Sequence, residues 1–235
     1  MENKNVLIAG TGELGKALAY KLLSNGNNVI INSRNEEKLK KIKNDYLKYG
    51  NIDYINLELN DETSCKKLID DTVNKVNSID SIIIMVGGYV EDTVNTLDGL
   101  DEMIKNYIKI PLYLSKHAIK YMKYNSTIIF ISNSDTVNKN RVDVMSYTVA
   151  KSALNKAMNI MAVELMDKGI RVNTVAPEYI IQSFEINRDY RKMRKIGDLE
   201  TPPEDIANVI NFLINGESEW LNGAFIPVDG GHSLK

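Results

Sequence analysis

Apolar residues recur along this chain in two rhythms. Short β-branched and aliphatic runs, without polar alternation, fall at 6–9, 29–31, 54–57, 82–86, 127–131, 171–175 and 225–228. Runs of this kind read as strands buried on both faces. Between them the apolar positions take helical spacing. Leu14, Ala17, Leu18 and Leu22 mark one helix, which Ser24-Asn25-Gly26 should stop. Segment 36–49 reads as a charged surface helix carrying Leu39, Ile42, Tyr46 and Leu47. Asn60 or Asp61 is placed to cap a helix running to Val76. Further helices are predicted over 100–122, 143–168 and 203–214, the last opening on Pro203 with Glu204 and Asp205 where the helix dipole favours acids.

Strand–helix–strand alternation over nearly the whole length predicts a single α/β domain over 1–235, a parallel sheet with helices on both faces. The stretch 177–202 has no clear period, and a loop that long in a compact domain reads as a lid. Composition narrows the function classes. The chain is 43% hydrophobic over 235 residues, enough for a folded core, and 29 basic against 31 acidic residues argue against a nucleic-acid partner. One Cys and two distant His argue against a metal centre. No apolar run approaches the ~20 residues of a membrane span. Residues 1–5 lack the layout of a signal peptide, so a cytoplasmic protein without membrane association is expected.

The first strand runs into Gly10-Thr11-Gly12-Glu13-Leu14-Gly15 and then a helix. In that strand–turn–helix context the first glycine permits the tight turn, the second lets the backbone approach a pyrophosphate, and the third lets helix and strand pack closely. The helix N-terminus adds free N–H groups for the phosphates. A dinucleotide site is the reading. At the end of the second strand, where an acidic residue would hold the ribose of NAD, stand Ser33 and Arg34. Arg34 can pair with a 2′-phosphate, which favours NADP(H), with NAD(H) possible. Arg34 is otherwise a solvated charge before a charged helix. Glu13, an anion in the phosphate turn, argues against tight phosphate binding.

Ser132-Asn133-Ser134 follows the fifth strand, and Tyr147 and Lys151 share one face of a later helix. A nearby ammonium lowers a tyrosine pKa and suits it to general acid–base work. Tyr147-x-x-x-Lys151-Ser152-Ala153, the segment 169–177 (Gly-Ile-Arg-Val-Asn-Thr-Val-Ala-Pro), Pro203-Glu204-Asp205-Ile206-Ala207 and the stretch Asn222-Gly223 through Val228-Asp229-Gly230-Gly231 together resemble the short-chain dehydrogenase/reductase family over the whole chain. The resemblance implies a three-layer doubly wound Rossmann fold with a seven-stranded parallel sheet in the order 3-2-1-4-5-6-7. It implies an NAD(P)(H)-dependent oxidoreductase acting on a small-molecule ketone or secondary alcohol, as a homodimer or homotetramer.

By the same resemblance Tyr147 is the general acid–base, and Lys151 holds the nicotinamide ribose and lowers the tyrosine pKa. A serine holds the reacting oxygen. Ser134, thirteen residues before Tyr147, is preferred by spacing, while Ser132 sits directly off the strand. Glu58 and Leu59 fall at the adenine, Gly87 and Gly88 beside the cofactor, and Pro177 and Ile180 on the nicotinamide side.

The departures are specific. The glycine turn is one residue short, and Met85-Val86-Gly87-Gly88 lacks the family's asparagines. Counting four back from Pro111, the place of the family's catalytic asparagine holds Tyr107, with Asn106 one position earlier. One residue is about 100° around a helix, so Asn106 should point elsewhere unless the helix is distorted. Glu178 replaces a glycine and Gln182 a threonine near the carboxamide. A catalytically weak cofactor-binding protein with a regulatory or structural role is therefore the alternative. The basic stretch 187–195 reads either as an anionic-substrate contact or as a solvated helix with Tyr190, Met193 and Ile196 facing inward; Trp220 reads as a packing residue.

Overall fold

The computed structural model describes residues 3–235, with the side chains of 137 and 138 outside the description. Its main sheet contains β1 (Asn5–Ala9), β2 (Asn28–Ser33), β3 (Ile52–Asn56), β4 (Ser81–Ile84), β5 (Thr127–Ile131), β6 (Arg171–Ala176) and β9 (Phe225–Pro227). The strands are all parallel and ordered β3-β2-β1-β4-β5-β6-β9. This is the expected order. The last strand is ninth in the chain because β7 (Tyr179–Ile180) and β8 (Glu200–Thr201) form a separate two-stranded parallel pair.

The strands are continuous apolar runs because both faces are covered. Val6 and Ile8 of β1 point into one core with α1 (Glu13–Ser24), α2 (Glu36–Tyr46) and α8 (Pro203–Ile214). Leu7 and Ala9 point into the opposite core with α3 (Glu62–Val76), α5 (Ile110–Ala118) and α7 (Met145–Glu164). Asp61 caps α3 in a capping box: its carboxylate accepts from Ser64 N at 2.8 Å, and the Ser64 hydroxyl faces Asp61 N at 3.1 Å.

The predicted helix over 100–122 is broken into α4 (Leu100–Ile104), a π turn over Lys105–Lys109, and α5. The cause is Pro111, which has no N–H for the helical ladder. Ile110 N–H reaches back five residues to Lys105 O, so neither Ile110 nor Pro111 donates to the Asn106 carbonyl.

The stretch 177–202 is tied down. Arg188 forks onto Glu204 at 2.5 and 2.9 Å, and Arg194 onto Asp205. Both acids lie in the first turn of α8, where the dipole favours them. The basic stretch is thus largely paired within the chain, and it forms only a short 3-10 turn at Tyr190–Met193. Ile196 is 84% exposed and does not face inward. Trp220, expected to pack, is 99% exposed. Among the described residues no helix is long and apolar enough to cross a membrane, and no group of His, Cys, Asp and Glu could hold a metal.

Candidate active site

The carboxyl ends of β1 to β6 deliver six loops to one edge of the sheet. Between the loops after β1, β2, β3 and β4 lies a cavity of about 510 Å³ lined by Gly10, Thr11, Gly12, Ser33, Arg34 and Gly88, among others. Gly10 has φ +93°, and a Cβ there would lie 2.9 Å from the Met85 carbonyl, so only glycine lets β1 turn this tightly beside β4. A Cβ at Gly12 would meet nothing within 4 Å, which leaves that backbone open to a ligand. Gly12 caps α1 without a side-chain hydrogen bond, so the first N–H groups of a twelve-residue helix remain available. Thr11 fixes the turn through its hydroxyl to Asn32 O at 2.9 Å. These features fit the pyrophosphate of a dinucleotide.

The other sequence candidates divide. Glu58 and Leu59 line the same cavity, as does Gly87. Arg34 stands 3.5 Å from Glu58, both exposed, so the guanidinium already has an acidic neighbour. Glu13 pairs with Lys16 at 2.7 Å, which offsets the charge that argued against phosphate. Leu14 turns into the core and Gly15 sits against Thr11, so both can offer only backbone to a ligand. A Cβ at Gly88 would fall 2.8 Å from Glu102 and 3.0 Å from Asn106, so this glycine lets the α4 region approach β4.

The π turn brings both Asn106 and Tyr107 to this edge, where a regular helix would separate them. Asn106 Nδ2 donates to Gly87 O at 3.2 Å. The Tyr107 hydroxyl donates to Gly88 O at 2.5 Å and accepts from Gly88 N at 3.0 Å. Burial pushes that hydroxyl up to about 12. Its hydrogen-bonding capacity is therefore directed at the Gly88 backbone rather than at a proton relay.

Tyr147 and Lys151 share one face of α7 as expected. The Tyr147 ring packs edge-on against Tyr107 at 5.5 Å and Tyr89 at 5.4 Å. Lys151 is buried, donates to Ile131 O at 2.7 Å and lies 3.9 Å above the Tyr107 ring. Burial pulls its ammonium down to about 7. The expectation that Lys151 lowers the Tyr147 pKa is not met in this geometry: desolvation pushes the phenol well above its usual value, and the neighbouring Asn133 side chain is what opposes the rise.

Neither serine hydroxyl is hydrogen-bonded to Tyr147. Ser134 N donates to Pro177 O at 3.1 Å, and its buried hydroxyl has no partner among the described residues. Burial alone would raise the nearby Asp229, but hydrogen bonds from Ser233 and Gly231 hold it below the usual range. Ser132 donates its N–H to Val175 O, and its buried hydroxyl has no partner among the described residues. Glu178 is buried, with His232 Nδ1 at 2.5 Å and Asp135 beside it. Burial and the neighbouring Asp135 raise its carboxyl, against His232. The acid that replaces the family glycine thus ties the Pro177 loop to the C-terminal turn. Ile180 lies in β7, and Gln182 folds back onto Ile180 O at 2.8 Å. Sequence reasoning passed over Asn133. The clue was alternation: chain leaving a strand turns successive side chains to opposite sides, so Ser132 and Ser134 share a side that Asn133 does not.

A family described as enoyl-(acyl carrier protein) reductase matches residues 8–233. A 3-oxoacyl-(acyl-carrier-protein) reductase of Rickettsia bellii is 31% identical, covering 98% of this chain and 97% of its own. A 7alpha-hydroxysteroid dehydrogenase of Bacteroides fragilis is 27% identical, covering 99% and 95%. A solved short-chain dehydrogenase/reductase of Serratia marcescens shares the fold at TM-score 0.89 and 21% identity, covering 99% and 98%.

Proposed function

The chain belongs to the short-chain dehydrogenase/reductase family of oxidoreductases, and on that premise we propose that it is an NAD(P)(H)-dependent reductase or dehydrogenase interconverting a ketone and a secondary alcohol, with Tyr147 as general acid–base. The observation that supports this reading is that Tyr107, packed against both Tyr147 and Lys151, also hydrogen-bonds Gly88 in the wall of the open glycine-turn cavity. A nicotinamide dinucleotide in that cavity supplies or accepts hydride at the substrate carbon. Gly10, Thr11 and Gly12 would hold its pyrophosphate through backbone N–H groups. Ser33 and Arg34 would meet the adenosine ribose, with NADP(H) favoured by the guanidinium. Pro177 and Ile180 would border the nicotinamide.

In the reducing direction Tyr147 gives its proton to the carbonyl oxygen as negative charge develops there. In the oxidising direction it takes that proton back. Lys151, buried beneath the site with its Nζ 5.6 Å from the centre of the Tyr147 ring, would hold the nicotinamide ribose. A 3-oxoacyl thioester is the first substrate class to test, following the Rickettsia relative's name. A cytoplasmic homo-oligomer belongs to the same reading. Val149, Ile160 and Val163, exposed along α7, are the support for self-association.

The raised Tyr147 phenol and the Tyr107 ring pressed against Lys151 favour a second reading, a cofactor-binding protein with slow catalysis. Fluorescence titration with NADPH and NADH, followed by a carbonyl panel, separates them. Binding with turnover carries the first reading, binding without turnover carries the second, and no binding of either nucleotide overturns both.

A further inference from the structure

We propose that Asn133, and neither flanking serine, is the second polar group on the reacting oxygen, its Nδ2–H donating beside the Tyr147 hydroxyl. This rests on the reductase reading above. An amide has two donor hydrogens and one acceptor oxygen. Asn133 Oδ1 accepts from Asp135 N at 3.0 Å, and one Nδ2 hydrogen goes to Glu178 O at 3.0 Å. The second Nδ2 hydrogen is left over, and the Asn133 and Tyr147 side chains border one narrow cleft with Val144 and Thr148 that neither Ser132 nor Ser134 lines. The direction of the amide is fixed from both ends, because β5 holds one flank and the Pro177 loop the other. Ser134, by contrast, has its N–H on Pro177 O, and its hydroxyl, like that of Ser132, is buried without a partner among the described residues and lines no part of that cleft.

The chemistry differs from that of a serine in one respect. A hydroxyl can donate and accept, and so can pass a proton. The free Nδ2–H can only donate. Asn133 therefore stabilises negative charge on the substrate oxygen and polarises the carbonyl, while all proton transfer to that oxygen falls to Tyr147.

The test has two arms. In the first, Asn133→Ala, Asn133→Ser, Ser132→Ala, Ser134→Ala and Tyr147→Phe are assayed with acetoacetyl-CoA and a panel of cyclic and aromatic ketones, alongside NADPH and NADH titration and thermal melts. Loss of one oxyanion donor costs about 10²-fold or more in turnover. Asn133→Ala should show that loss with nucleotide affinity within about twofold of the parent, and Asn133→Ser, which restores a donor, should recover most of it. Ser132→Ala and Ser134→Ala should stay within about threefold. A serine variant that loses as much as Asn133→Ala, or an Asn133→Ala enzyme with full turnover, overturns the proposal. Tyr147→Phe with full turnover overturns the reductase reading instead.

The second arm needs no substrate. The Asn133 side-chain amide is assigned by ¹⁵N NMR through its loss in Asn133→Ser. Its Nδ2–H resonance should move on Tyr147→Phe and stay in place on Ser134→Ala. An amide that ignores Tyr147→Phe overturns the proposal whatever the assays give.

Discussion

The Lys151 ammonium sits 3.9 Å from the centre of the Tyr107 ring, while the Tyr107 hydroxyl is turned away from it onto Gly88. One residue thus presents a π face to the lysine and a hydroxyl to the β4 loop. The face favours the charged lysine in a buried place that otherwise disfavours it. The arrangement depends on the π turn at Lys105–Lys109, which admits Tyr107 and Asn106 to the same edge.

Because the hydroxyl and the ring act on different partners, variants at Tyr107 separate them. Tyr107→Phe keeps the face and should retain turnover within about tenfold, since a net hydrogen bond is worth ~0.5–1.5 kcal/mol. Tyr107→Leu removes the face and should cost more, through Lys151. Steady-state kinetics on both variants checks this; a larger loss in Tyr107→Phe than in Tyr107→Leu would put the hydroxyl in the relay.

Tyr147→Phe deletes only the phenol oxygen. General acid catalysis of this kind contributes roughly 10²–10⁴-fold, and kcat should fall by that order while NADPH affinity stays nearly intact. Lys151→Ala should harm both quantities if the ammonium also meets the nicotinamide ribose. The comparison is a kinetic assay paired with nucleotide titration on each variant.

Arg34 and Glu58 form an exposed pair at 3.5 Å on the wall of the glycine-turn cavity. Arg34→Ala should weaken NADPH by about tenfold or more and NADH far less, as a charge-assisted contact to a phosphate would. Glu58→Gln removes the acid 3.5 Å away and should shift preference further toward NADPH. Equal changes for both nucleotides would remove Arg34 from 2′-phosphate recognition.

Much of this architecture is legible in the sequence for a physical reason. Strands such as Ile128–Phe130, buried on both faces, must be continuously apolar, and the turn at Gly10 has to be glycine at φ +93° beside Met85. The strands and the glycine turn are therefore legible by pattern. The π turn is not, because the apolar spacing over 100–122 continues through Pro111, and a proline inside a helix signals a distortion without saying how the ladder is rearranged. Asn133 was missed because counting back from Tyr147 crosses a loop, whereas the end of β5 at Ile131 is the fixed reference. Exposure at Trp220 and Ile196 was illegible because apolar character alone does not say which side chain finds a core. The Asp135–Glu178–His232 group joins three distant segments, and no local pattern announces it.

Lys151 gives the last prediction, on stability against pH. Its ammonium has an ordinary value of 10.5 and is pulled down to about 7 in the fold by burial. Below pH 7 it is charged in both the folded and unfolded chains, and the cost of burying the charge is fully present. Between about 7 and 10.5 the folded protein releases that proton first, so the unfolded chain binds more protons and stability rises with pH. The slope is at most about 1.4 kcal/mol per pH unit for one proton. Lys151→Met lacks the titrating group. Thermal melts from pH 6 to pH 10 should therefore show wild type gaining on Lys151→Met only above neutrality, with a flat difference below it. Tyr107→Leu, which removes the ring that favours the charged form, should move the onset to lower pH. A difference that stays flat across the whole range would mean that Lys151 keeps its proton in the fold, held there by the Tyr107 ring and the Ile131 carbonyl.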